Sequence, residues 1–321
     1  MNTEIIQSQN QSLIALTPLI EQAEGYVRNS KAEATRRAYK ADWKNFAEWC
    51  AKYNLCPLPA CPETISLYIS DLSNRVAIAT IRRRLASISQ AHQTAEYETP
   101  TTSALVRNIW QGIRRTKGTA QDQKEPLLTD HLRRIVKLLP DTLAGTRDRA
   151  ILLLGIAGAF RRSELVGLNV EDLCFVDHGL IITLPRSKTD QEGEGAEVGI
   201  PSGSRSETCP VRSLRMWLEV SGIANGPLFR GVDRHGNISS RRLTDQSVAL
   251  IVKKWAEEIG IDPSTISGHS LRAGFATQCA LNNVPSYGIK EQGRWRTEQM
   301  VNRYIRKGSL FNNNAAEHLG L

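Results

Sequence analysis

The 321-residue sequence has no apolar run near the roughly 20 residues that a bilayer span requires. Its longest candidate, AILLLGIAGAF at 150–160, has the length of a buried helix. The opening residues MNTEIIQSQNQSLIA lack both the basic flank and the clean apolar stretch of a secretory signal. These absences point to a cytoplasmic protein with no membrane partner. The six cysteines contain no CxxC pair and no accompanying His-x-x-x-His. Cys50, Cys56 and Cys61 are separated by five and four residues, and Cys174, Cys209 and Cys279 stand alone. Without a secretion signal, such thiols read as free and not as a zinc site or a disulfide framework.

What the chain does have is ordinary core material and an uneven charge. Hydrophobic residues make up 40% and charged residues 23%, and the length suits two domains. The net charge is +8, with an isoelectric point near 9.3. Residues 75–117 hold eight basic side chains (Arg75, Arg82, Arg83, Arg84, Arg107, Arg114, Arg115 and Lys117) against only Glu96 and Glu98. A solvated surface explains many charge runs. Clustering on two helical patterns favours a polyanion, and nucleic acid is the commonest one.

The segment 35–53, TRRAYKADWKNFAEWCAKY, spaces Tyr39, Trp43, Phe46, Trp49 and Tyr53 at three and four residues, an amphipathic helix. PETISLYISDLS (62–73) opens on a proline suited to a first helical turn. TIRRRLASISQAH (80–92) offers Thr80 as a cap, with Ile81, Leu85, Ile88 and His92 on one face and Arg82, Arg83 and Arg84 turned away from it. SALVRNIWQGIRR (103–115) completes a small all-α unit with a basic face, free of repeats and low-complexity tracts. The segment 118–128 reads as a linker, and 1–24 as a flexible leader to a first domain at 25–117. The remaining 129–321 predicts a mainly α domain. Its helices are expected near 129–139, 146–158, 162–169, 210–221, 244–259, 270–282, 286–292 and 297–305. One small antiparallel β-insert carries GLIITL and EVGI as strands.

Several short motifs in that second unit could carry chemistry. AFRRSELVGL (159–168) places Arg161 at a helix mouth with Glu164 one turn on, which is also ordinary capping chemistry. Arg162 beside it leaves open which guanidinium faces a pocket. SGHSLRAGFAT (267–277) puts His269 and Arg272 three residues apart at another helix start, on one face where backbone N–H groups favour an anion. LPRSKTDQEG (184–193) sets Lys188 in the turn between two strands, where a plain surface lysine is the usual occupant. RWRTEQMVNRYI (294–305) carries Tyr304 near its end, among Arg294, Arg296, Arg303 and Arg306, which could serve the same anion that the phenol attacks.

Taken in order, Arg161, Lys188, His269, Arg272, Trp295 and Tyr304 inside AFRRSEL, RSKT, GHSLRAG, GRW and VNRYI resemble the tyrosine recombinase (phage integrase) family, and its Cre-type members most closely. The resemblance spans 130–306, and the helical unit at about 30–117 is similar to the family's SAM-like core-binding domain. It implies a C-shaped clamp of the two domains around double-stranded DNA at a specific recombination site. Tyr304 would attack the scissile phosphodiester and form a 3′-phosphotyrosyl link. Arg161 and Arg272 would hold the non-bridging oxygens, and His269 and Trp295 would complete the pocket, with His269 a candidate base. Lys188 would protonate the leaving 5′-oxygen and Glu164 would order the set.

Arg82, Arg83, Arg84, Arg114 and Arg115 are the candidate DNA contacts. Neither cofactor nor metal is expected, since the motifs supply Arg, Lys and His but no carboxylate cluster suited to magnesium. A homotetramer on two paired sites is implied, with accessory DNA-bending or directionality factors as further partners. The segment Ser309–Leu321, through Leu310, Phe311, Ala315 and Leu319, would dock into a neighbouring protomer or fold back on its own domain. A type IB topoisomerase and a non-catalytic DNA-binding protein stand as alternatives.

Overall fold

The computed structural model describes residues 16–27, 30–118, 124–184 and 195–308, with side chains to Ile305. The chain separates into two compact units, Met1–Gln121 and Asp122–Leu321. In the first, a helix over 16–27 (α1) precedes α2 (Glu33–Lys52), α3 (Pro62–Ser73), α4 (Ile78–Thr94) and α5 (Ala104–Lys117). The helical α1 corrects the reading of a flexible segment over 16–24, because Thr17-Pro18 suits a helix start and no breaker follows for six residues; 1–15 lie outside the described residues.

The core of the first unit grows from the aromatic spacing in α2. Phe46 is fully buried, its ring centroid 5.0 Å from that of Tyr68 on α3. Ile65, Ile69, Ile81, Ile88 and Val106 close around the pair. Ser103 caps α5 by accepting a hydrogen bond from the Val106 N–H. Thr80 does not cap α4: the helix begins two residues earlier, where the Ala77 carbonyl already accepts from the N–H groups of Thr80 and Ile81. Backbone geometry won over cap chemistry there.

The arginine triplet also departs from expectation. Asp42 on α2 is 4% exposed and needs counter-charge. Arg83 supplies it through Nε and Nη2, at 2.7 and 3.0 Å from the two carboxylate oxygens. Arg84 lies 3.7 Å from the same carboxylate and donates to Asn45 Oδ1 and Tyr68 Oη. Only Arg82 of the three is turned outward with no part in this cluster.

The second unit runs α6 (Thr129–Leu138), α7 (Leu143–Ala157), α8 (Arg162–Gly167), β1 (Leu173–Val176), β2 (Gly179–Leu184), β3 (Ala196–Pro201), α9 (Pro210–Ser221), β4 (Arg230–Val232), β5 (Ile238–Arg242), α10 (Asp245–Glu258), α11 (Ser270–Leu281), α12 (Ser286–Gly293) and α13 (Glu298–Gly308). Strands β1, β2 and β3 form one antiparallel sheet, and the opposed pairs Leu180–Ile200 and Ile182–Val198 all point into the core. The sequence anticipates β2 and β3 but neither β1 nor the separate β4–β5 hairpin. Those strands are too short to show a period. The hairpin is set instead by Asp233, whose carboxylate accepts from the His235 and Asn237 N–H groups around Gly236 in a left-handed turn.

Helix α7 is buried on every side from Ala150 to Leu154 and forms the axis of this core. Helix α11 packs against the extended segment 124–128, where the Leu127 N–H donates to the Ser270 carbonyl at 3.0 Å. A Cβ on Gly274 would strike the Leu127 carbonyl, so only glycine permits that approach. No helix among the described residues is long and apolar enough to cross a membrane.

Candidate active site

The centre of the site is the corner between α7 and α8. Ala159 takes a positive φ of 46°, which turns the chain sharply and places Arg161 at the cap of α8. The Arg161 N–H donates to Glu164 Oε2 at 3.0 Å, and its guanidinium pairs with Glu164 Oε1. Glu164 therefore caps the helix and holds the arginine at once; the two readings of its role coincide. Arg162 is directed elsewhere, 3.7 Å from Asp245 and lying over Gly268. The guanidinium beside Glu164 is that of Arg161.

His269 is exposed at the start of α11 and Arg272, one turn later, is 4% exposed. Arg272 Nη1 donates to the Ala159 carbonyl at 2.5 Å. Its guanidinium stacks 4.1 Å from the centre of the Trp295 ring. Its Nη2 is buried with no hydrogen-bond partner among the described residues. Burial, followed by the nearby charge of Arg161, pushes Arg272 down to about 9. An arginine still keeps its proton at pH 7, so the shift measures what it costs to hold that charge there. A fixed, desolvated cation with a spare donor is poised for an anion.

Trp295 is buried among Ala276, Ile289 and Val301, folded back over Gly293, where any Cβ would meet its ring. The half-buried Tyr304 ring lies on it with centroids 5.7 Å apart. Helix α13 packs on α11 and α12 through this cluster. The structure thus brings together Arg161, Glu164, Arg272, Trp295 and Tyr304. Tyr287, the tyrosine preceding Tyr304 in the chain, is 70% exposed on α12 and outside the cluster. Lys188 falls in 185–194 and the tail in 309–321, both outside the described residues.

Sequence reading counted Arg294 only among the arginines around Tyr304 and gave it no separate role. Arg294, at the C-terminal cap of α12, donates from Nη2 to Glu164 Oε2 at 3.0 Å and is nearly buried. Burial pushes its guanidinium below the usual range, while Glu164 opposes that shift. For Glu164 itself burial works against ionisation, but the Arg161 N–H and the charges of Arg294 and Arg161 outweigh it and hold the carboxyl below its usual range. The signal in the sequence was position alone: Arg294 directly precedes Trp295 in GRW.

Comparisons with known proteins bear on this geometry. The model of the phage integrase family matches residues 125–309. An integrase/recombinase xerD homolog of Selenomonas ruminantium is 42% identical over 297 residues, covering 91% of this chain and 87% of that protein. Recombinase cre of Escherichia phage P1 is 25% identical over 300 residues, covering 87% and 85%. Among solved structures, the XerH site-specific recombinase in a post-cleavage complex with its difH substrate superposes with a TM-score of 0.61 at 16% identity, covering 88% of this chain and 78% of that one. The Tn1549 transposon integrase bound to transposon right-end DNA gives 0.62 at 16% identity, covering 94% and 98%. At such identities these two structures establish the fold.

Proposed function

The chain belongs to the phage integrase family, and from that premise we propose that it cleaves and rejoins double-stranded DNA at a specific site through a covalent link to Tyr304. The observation that carries this is one tryptophan with two neighbours: the Arg272 guanidinium at 4.1 Å and the Tyr304 ring at 5.7 Å. A phosphate bound by Arg272 would sit beside the phenol of the same chain.

The chemistry follows from those positions. Arg161 and Arg272 would each hold a non-bridging phosphoryl oxygen, for which a planar fork of donors suits better than an ammonium. The Tyr304 oxygen attacks phosphorus, its proton passing to His269, and the bond from phosphorus to the 5′-oxygen breaks. Lys188 gives that oxygen a proton. The phosphotyrosine keeps the energy of the ester, so a 5′-hydroxyl from another strand can reverse the step without ATP. Charge building on the transferring phosphoryl group is met by fixed guanidinium groups. Exchange between two duplexes would need four copies on paired sites, with DNA-bending or directionality factors as further partners. Glu164 orders the cations and takes no proton.

The test begins with a duplex site selected from a random library by the purified protein and presented as a nicked suicide substrate. Wild-type protein is expected to form a covalent adduct, and Tyr304→Phe to bind equally well yet form none. An adduct that persists in Tyr304→Phe would relocate the nucleophile and overturn the proposal.

A further inference from the structure

Arg294 occupies a backbone that an L side chain adopts at a cost: φ 54° and ψ 46°, the left-handed region usually left to glycine. A long charged side chain retained there calls for a compensating use. Its guanidinium makes three polar contacts. Nη1 donates to the Gly158 carbonyl at 3.1 Å and to the Gln292 carbonyl at 2.8 Å, and Nη2 to Glu164 at 3.0 Å. It also lies 5.1 Å from the centre of the Phe160 ring.

The contacts form a pattern along the α7–α8 corner. Three consecutive carbonyls there each accept from a side chain of a later segment: Ala157 from Gln292 Nε2, Gly158 from Arg294 and Ala159 from Arg272. The corner that presents Arg161 is therefore stitched to α11 and to the turn before Trp295. Arg294 is the stitch that also reaches Glu164. It shares the carboxylate with Arg161, so that Arg161 keeps donors and charge for an anion.

We infer that Arg294 is a positioning residue for strand cleavage: through Glu164 and the Gly158 carbonyl it sets Trp295 and the Tyr304 helix against the Arg161–Arg272 pair. This rests on the proposed cleavage reaction. It adds a third guanidinium whose task is alignment of the nucleophile, not contact with DNA. Misplacing a nucleophile by about 1 Å costs about 100-fold in rate, which sets the size of the expected effect.

Arg294→Gly is the informative substitution, because glycine relieves the left-handed backbone while removing every contact of the side chain. On the selected suicide substrate at saturating DNA, its single-turnover cleavage is expected to slow about 100-fold, with Kd and Tm close to wild type. Arg294→Lys is expected to recover only part of the rate, since an ammonium reaches the carboxylate but cannot span both partners. Glu164→Gln combined with Arg294→Gly is expected to be hardly slower than the slower single variant, as residues acting as one unit are not additive. Cleavage by Arg294→Gly at nearly the wild-type rate, or losses that multiply in the double variant, would overturn the inference. So would a Kd weakened by the same factor as the rate, which would make Arg294 a DNA contact. If Arg294→Gly does not fold, Arg294→Lys decides: a folded protein with the wild-type rate refutes the role, and a folded slow one upholds it. An adduct in Tyr304→Phe, run alongside, would signal failure of the underlying reaction instead.

Discussion

Each unit of this protein buries a carboxylate between at least two arginines, Asp42 in the first and Glu164 in the second, and the two clusters differ. In the first, Asp42 binds Arg83 in a fork, and that pairing pushes the Arg83 guanidinium above its ordinary range. Arg83 is half-exposed, and Arg84 donates from Nη1 to Asn45 and Tyr68 while its Nε is buried without a hydrogen-bond partner among the described residues. In the second, Glu164 is shared by Arg161 and Arg294 while Arg272 lies close by, its Nη2 unpartnered. There burial pushes both Arg272 and Arg294 downward. The first cluster leaves part of its charge in solvent, and the second holds charge in excess of its carboxylate away from water.

The sharpest way to break that contrast is to remove the excess charge while keeping its shape. Arg272→Met retains the aliphatic length beside Trp295 but deletes the cation. Cleavage of the suicide substrate is expected to fall about 1000-fold, the scale of losing one strong donor to a developing oxyanion. The Tm of the DNA-free protein should hold or rise, since a buried charge replaced by a hydrophobe of similar volume is often neutral or stabilising. A large drop in Tm would mean that Arg272 is structural after all.

The matching change in the first cluster should do the reverse. Asp42→Asn leaves Arg83 and Arg84 without their carboxylate and weakens two charge-assisted hydrogen bonds, an expected cost of about 2 kcal/mol of stability. Urea denaturation of the full chain reads that loss directly. Single-turnover cleavage at saturating DNA should stay within about threefold of wild type, because independent sites do not couple. Equal damage to rate and stability would erase the distinction between scaffold and site.

Both clusters were partly legible in the sequence, and for different reasons. Arg161, Arg272, Trp295 and Tyr304 were picked out because their order along the chain resembles that of the tyrosine recombinase family, whereas each motif alone has an ordinary structural reading. The pairing of Arg294 was not legible because its partners, Glu164 and Gly158, lie 130 and 136 residues away and it sits in a turn where glycine is the natural expectation. Helices with a clear apolar face were read within a few residues, and α3 and α9 to the residue. Helix α7 carries no stripe and was anchored only by its length. Strands β1, β4 and β5, of four, three and five residues, hold too little alternation to announce themselves. Asp42 gave no warning in the sequence that it would engage Arg83 and Arg84, because a buried carboxylate looks the same as an exposed one until its partners arrive.

That last failure yields the finest test, inside a single run of three arginines. Neutralising a side chain that releases counterions flattens the slope of log K against log salt by about 1. Arg82, together with Arg114 and Arg115 at the exposed end of α5, is free to contact phosphate. Arg82→Ala is therefore expected to flatten the slope by about 1, and Arg114→Ala with Arg115→Ala by about 2. Arg84→Ala should leave the slope unchanged and lower stability, since that guanidinium is held by Asn45 and Tyr68. Arg83→Ala is expected to resemble Arg84→Ala, its fork being committed to Asp42. Titrations at several salt concentrations, with urea denaturation of each variant, give both readouts. If all three arginines shifted the slope equally, the Asp42 cluster would open on DNA and would not be scaffold alone.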